Sequence, residues 1–130
     1  MTSQFFQAVL FDMDGLTIDS EPQWLEVERE LTARFGYQWT LEDQAFCLGG
    51  PLSRVGQYMS EMVNGAETGE YFHQGLISEM AKKVRARAVF MPGAQSLIDS
   101  LHKSEIPMAL VSASPRVIVD AALAHIQPLP

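Results

Sequence analysis

A single cysteine in 130 residues excludes an internal disulfide, and the lone thiol of Cys47 fits a reducing compartment, so a cytoplasmic location is expected. Basic side chains are also scarce. Nine lysines and arginines stand against sixteen acidic residues, for a net charge of −7. That balance excludes a nucleic-acid partner, because affinity for the phosphate backbone comes from clustered cations. The one basic run, KKVRAR from Lys82 to Arg87, lies in a helical pattern, where a solvated face and the helix macrodipole account for it. His73, His102 and His125 share no metal-ligand spacing. No apolar run is long enough to cross a bilayer, and MTSQFFQAVL lacks the basic start of a signal peptide, so no membrane partner is expected. Internal repeats and low-complexity tracts are missing too. What remains is a chain of 47% hydrophobic residues, enough to bury one ordinary core with a small appended subdomain.

The apolar residues fall into an ordered series. Phe6 and Ala8 to Phe11 form a compact run that suits a strand covered on both faces, as in parallel sheets. DMDGLTIDSEP then reads as a loop. From Pro22 the period becomes helical, with Trp24, Val27, Leu31 and Phe35 on one stripe and Gly36 as a stop. A second helix starts at Thr40, with Asp43 completing a capping box. Leu52, Val55, Met59 and Met62 form a third stripe, and Phe72, Leu76, Met80 and Val84 a fourth. After Met91, Pro92 and Gly93, the residues Ala94, Leu97, Ile98 and Leu101 predict another helix. IPMALVSAS then gives a second strand, and Ser114 followed by Pro115 predicts an N-cap and first helical position. Two strands joined through a helix would run parallel, bringing the ends after Phe11 and Val111 to one sheet edge. Asp12, Asp14, Ser112 and Ser114 are expected to meet there.

Such a set suits phosphoryl transfer. An aspartate can attack phosphorus to form an aspartyl-phosphate, and a second carboxylate can serve as general acid and then base, a role worth about 10²–10⁴-fold. Two carboxylates facing an anionic substrate call for a hard divalent cation, Mg²⁺ in the first instance. Gly15 permits the tight turn, and the amides after Ser114 can hold phosphate oxygens. An ordinary turn rich in Asp and Gly is the plain alternative. An EF-hand does not fit, because a strand precedes the loop, Leu16 takes a ligand position and Gln23 stands where a bidentate glutamate is required. A sugar-nucleotide transferase with a metal-binding Asp-x-Asp would need a nucleotide domain for which the chain has little room.

FDMDGLTIDSEP closely resembles the first motif of the haloacid dehalogenase superfamily, and MPGAQSLIDSLHKSEIPMALVSAS resembles the stretch through its second. The helical segment between them resembles the cap of the β-phosphoglucomutase-like phosphatases. The resemblance implies an α/β fold: a Rossmann-like core formed by residues 1–16 and 87–130, interrupted by a helical cap at 17–86. It implies that Asp12 is nucleophile and Mg²⁺ ligand, and that Asp14 is general acid/base and ligates the metal through its backbone carbonyl. Ser112 would hydrogen-bond the phosphoryl group, with the backbone of Met13 and Ala113 beside it. Ser114 is a cap, a substrate ligand, or both. Arg116 either reaches a substrate phosphate or covers the helix surface, and Arg54, in GGPLSR, either faces substrate or is solvated.

The family's third and fourth motifs, a lysine or arginine and an acidic pair, normally follow at a distance, and no match to them follows Ser112 here. The expectation is therefore the first half of a Mg²⁺-dependent phosphatase acting on a small phosphorylated metabolite such as a sugar phosphate, with little activity alone. The alternative is a non-catalytic half that requires a complementing C-terminal half.

Overall fold

A computed structural model describes residues 5–126. Eight elements follow in the order β1 (Val9–Asp12), α1 (Glu21–Ala33), α2 (Leu41–Cys47), α3 (Leu52–Met62), α4 (Gly69–Ala86), α5 (Ala94–Lys103), β2 (Met108–Val111) and α6 (Arg116–Leu123). They divide into two compact units, residues 1–21 with 83–130, and residues 22–82. The boundaries expected at 16/17 and 86/87 thus move to 21/22 and 82/83. Backbone pairing explains the shift at the first boundary. Ile18 bridges Phe90 in antiparallel fashion, Asp19 N donates to Val89 O (2.7 Å), and Met91 N donates to Thr17 O (2.9 Å), tying residues 17–20 to the first unit.

In that first unit β1 and β2 pair in parallel, with Val9 opposite Met108 and Asp12 opposite Val111. The register sets the two strand ends side by side, as the helical connection between them requires. Ile18, Ile98 and Ile118 are fully buried, as is Met13 directly after β1. The expectation that β1 is covered on both faces is not met. Alternate residues Val9 and Phe11 are half-buried, whereas Leu10 is 70% exposed, and Val111 at the end of β2 is 53% exposed. The run is apolar on both faces, but among the described residues only two strands form the sheet, and coverage of a sheet face is a tertiary property.

The second unit is helical. Val27 and Leu31 of α1, Val55 and Met59 of α3, and Phe72, Leu76 and Met80 of α4 are buried at the helical spacing their sequence shows. Gly56 permits close approach of α3 to α4, since a Cβ there would lie 2.5 Å from Gly69 O and 2.9 Å from His73 N. The capping box at α2 is present: Thr40 Oγ1 accepts from Asp43 N (3.1 Å), and the Asp43 carboxylate accepts from Thr40 N (2.8 Å).

Candidate active site

β1 ends at Asp12, and the chain turns at once. Asp12 Oδ1 accepts a hydrogen bond from Met13 N (2.8 Å), which fixes the carboxylate at the strand end. The Met13 carbonyl accepts from the amides of Leu16, Thr17 and Ile18, and Gly15 takes φ +75°, a backbone conformation that favours glycine. Thr17 Oγ1 donates to Asp12 O (2.6 Å) from a buried position. The loop is held by its own hydrogen bonds, so Asp12 and Asp14 project from a fixed scaffold.

Asp14 receives three hydroxyls. Ser114 Oγ donates to Oδ2 at 2.7 Å, Ser112 Oγ to the same oxygen at 3.2 Å, and Ser20 Oγ to Oδ1 at 3.0 Å. Ser112 Oγ in turn accepts from Ser114 N (3.0 Å). Residues about a hundred positions apart therefore share one carboxylate, because the parallel pairing of β1 with β2 delivers both strand ends to one place. Ser114 is not the cap of α6. The N-cap is Pro115, without a side-chain hydrogen bond, and the Ser114 hydroxyl is turned to Asp14 instead.

The electrostatics of the loop are one-signed. Burial, followed by the charges of Asp14 and Asp19, raises the Glu21 carboxyl above its ordinary range. Asp12 and Asp14 offer oxygen donors only, a chemistry suited to a hard cation such as Mg²⁺ rather than to a thiophilic one. Among the described residues no group of three His, Cys, Asp or Glu side chains stands ready to hold a metal ion. The two carboxylates would therefore form only part of a coordination shell.

The remaining expected residues are placed differently. Met13 has a buried side chain, leaving its backbone as the part beside Asp12, and Ala113 is exposed between the two serines. Arg116 is engaged at the helix surface, its Nε donating to Asp120 Oδ1 one turn on at 2.7 Å, rather than aimed at Asp12 or Asp14. Arg54 belongs to the second unit, on α3, with its guanidinium 5.1 Å from the centre of the Phe46 ring. Ser20 and Thr17 escaped the sequence reading. Small hydroxylated residues five and eight positions after Asp12 were the available signal, but only the loop's return at Ile18 gives them partners.

The model of the haloacid dehalogenase-like hydrolases matches residues 9–128. The chain belongs to that family. Among curated relatives of this haloacid dehalogenase-like chain, fructose-1-phosphate phosphatase YqaB of Escherichia coli is 28% identical, over 93% of this chain and 63% of the relative. (DL)-glycerol-3-phosphatase 2 of Arabidopsis thaliana is 30% identical, over 82% of this chain and 45% of its own length. A candidate β-phosphoglucomutase from Thermotoga maritima has the same fold, with TM-score 0.74 at 22% identity, over 93% of this chain and 56% of the other. CbbY from Rhodobacter sphaeroides, solved in complex with phosphate, gives TM-score 0.71 at 18% identity, over 91% of this chain and 56% of that structure. The chain thus spans about half the length of these haloacid dehalogenase-like proteins. No helix among the described residues is long and apolar enough to cross a membrane.

Proposed function

We propose that this chain carries the nucleophile and the acid/base of a Mg²⁺-dependent phosphatase for small phosphorylated metabolites, sugar phosphates above all. The observation that carries the reading is the Asp12 carboxylate at the end of β1, two residues from an Asp14 carboxylate held by Ser112 and Ser114 from the end of β2. The relatives named as fructose-1-phosphate phosphatase, phosphorylated carbohydrates phosphatase and (DL)-glycerol-3-phosphatase support the substrate class.

In this mechanism Asp12 attacks the substrate phosphorus. A P–O bond to the aspartate forms as the ester P–O bond breaks, and protonated Asp14 gives its proton to the departing alkoxide. Asp14, now a carboxylate, takes a proton from water as that water attacks the aspartyl-phosphate, releasing phosphate and restoring Asp12. Ser112 Oγ and the backbone amides near Met13 and Ala113 hold the phosphoryl oxygens, and Ser114 orients Asp14. The Asp12 carboxylate and the Asp14 backbone carbonyl would hold Mg²⁺, which neutralises charge on the phosphoryl group. Residues 1–21 with 83–130 are the catalytic core in this reading. Residues 22–82 are a cap that excludes water and selects substrate, Arg54 being its contact to an anionic substrate group.

The chain covers 63% of fructose-1-phosphate phosphatase YqaB and 45% of (DL)-glycerol-3-phosphatase 2, and the exposed Leu10 and Val111 are apolar strand positions suited to further coverage. We assign full activity to an assembly in which a complementing C-terminal half supplies the remaining phosphate and metal ligands. Loss of such groups costs on the order of 10²–10³-fold each. A reducing cytoplasm suits the buried free thiol of Cys47.

The test is release of inorganic phosphate from fructose 1-phosphate, glycerol 3-phosphate and p-nitrophenyl phosphate, with Mg²⁺ and with chelator. It is run on the chain alone and on the chain joined to the C-terminal part of the Escherichia coli relative. Turnover is expected in the joined protein only, lost with chelator and lost in Asp12→Asn with the fold retained. Phosphate release by Asp12→Asn equal to that of the parent overturns the assignment of the nucleophile. Robust turnover by the chain alone overturns the need for a second half.

A further inference from the structure

Arg54 stands on the surface of α3, where an arginine ordinarily samples many rotamers, yet its surroundings are built in layers. Its guanidinium lies over the Phe46 ring, 5.1 Å from the ring centre, and Gly50 leaves room on a further side, the place of a missing Cβ being 3.7 Å from Arg54 Cδ and Nη1. The Phe46 ring is itself stacked on Tyr58, with centroids 4.7 Å apart and planes inclined by 28°. Tyr58 cannot swing freely. Its hydroxyl donates to Asp43 Oδ1 at 2.7 Å, and the edge of its ring meets the buried Trp39 at 5.7 Å. Trp39 Nε1 donates to Glu28 Oε2 at 2.9 Å, which ties the innermost layer to α1. Asp43 is the fixed point of this stack. Its other oxygen accepts from Tyr37 Oη (2.8 Å), Thr40 N (2.8 Å) and Thr40 Oγ1 (2.9 Å), and the residue is only 5% exposed.

We propose that Asp43 is a positioning residue for Arg54, acting through Tyr58 and Phe46, and that this stack presets the guanidinium for an anionic substrate group. The inference rests on the reading of Arg54 as a substrate contact, and it adds why that contact is effective. A cation held over an aromatic face before substrate arrives loses less freedom on binding than a solvated one. Asp43 touches neither substrate nor Arg54. Its effect passes through one hydroxyl and one ring.

The experiment observes the side-chain Nε–Hε signal of Arg54 by ¹H–¹⁵N NMR in the full chain without substrate, assigned by its disappearance in Arg54→Lys. The expected wild-type signal is displaced by the Phe46 ring current and has a restrained ¹⁵N relaxation profile. Tyr58→Phe, which deletes only the anchoring hydroxyl, should move that signal toward the free-arginine position and increase its mobility. Phe46→Leu should do so completely, and Phe46→Tyr should restore the wild-type signal. Asp43→Asn is the direct variant, but its burial makes Tyr58→Phe the deciding one. An Arg54 signal already at the free position in wild type overturns the proposal, as does one unmoved by Tyr58→Phe, whatever Phe46→Leu does. Because no turnover is measured, failure here leaves the phosphatase assay unaffected, and failure of that assay leaves the stack unaffected.

Discussion

Two aspartates, one in each unit, gather hydroxyl groups around a carboxylate and do opposite things with them. Asp43 in residues 22–82 is buried and accepts from Tyr37, Tyr58 and Thr40. Asp14 in the other unit is half-buried and accepts from Ser20, Ser112 and Ser114. Around Asp43 the donors are two half-buried phenols and an exposed capping threonine that converge on a buried carboxylate, so the cluster fastens α2 to α3. Around Asp14 the donors are three serines at strand and loop ends, with Asp12, Asp19 and Glu21 within seven residues in sequence. The same acceptor is a structural pin where it is itself buried and its donors are phenols from separate segments. Where the carboxylate is half-buried, its donors are small and the local charge is of one sign, it is left open to the reactive role proposed for Asp14.

The largest expected difference between the two is in stability. Asp43→Ala leaves two phenol hydroxyls and the Thr40 amide without their acceptor in a buried site and should cost about 3 kcal/mol. Asp14→Ala should cost less, about 1 kcal/mol, because Asp14 and its Ser112 and Ser114 donors are half-buried and can turn to water, while the buried Ser20 hydroxyl loses its acceptor. Urea denaturation followed by circular dichroism measures both. Equal losses would erase the distinction between pin and reactive group.

Thr40→Ala sharpens the first half of the comparison. It removes one hydroxyl from Asp43 and the cap of α2, with an expected loss of about 1 kcal/mol. Thr40→Ser should recover most of it, by the same unfolding measurement.

The smallest effect is the dependence of stability on pH, and the two regions should slope in opposite directions. Burial alone would raise the Asp43 carboxyl, but hydrogen bonds from Thr40, Tyr58 and Tyr37 reverse this and hold it below its ordinary value. The stabilisation from Asp43 is therefore present above the unfolded-state carboxylate range and is lost as pH falls through the lower folded value. Glu21 is raised by burial, Asp14 and Asp19. Its contribution is present at acid pH and is lost as pH rises through the folded value, so Glu21→Gln should stabilise the chain modestly at neutral pH. Unfolding midpoints between pH 3 and pH 8 in the presence of chelator test both slopes. A destabilised Glu21→Gln at neutral pH would show that the loop's carboxylates do not repel.

Much of the candidate site was legible because its residues are local to strand ends. Asp12 and Asp14 are two positions apart after an apolar run, and Ser112 follows a second such run, so a parallel pairing was enough to bring them together. The Thr40–Asp43 capping box was legible for the same reason, being a contact across three residues. Ser114 was read as a helix cap because serine before proline favours that role, and its hydroxyl is instead committed to Asp14, a hundred residues away. Ser20 was passed over because its partner depends on the backward turn of the loop. Tyr58 offered no signal, since its bond to Asp43 spans fifteen residues between separate helices.

By itself the sequence determined the element order, the helical stripes, the parallel pair and the acid pair at the end of β1, since periodicity, turn chemistry and short spacings act locally along the chain. Tertiary structure decided which hydroxyls each aspartate receives, that Leu10 is exposed though it reads as a buried strand residue, and that Arg54 lies over a Phe46 ring stacked on the Asp43-bound Tyr58. These depend on which surfaces come to face each other across long separations, and a side chain's burial and partners are set by that meeting rather than by its neighbours in sequence.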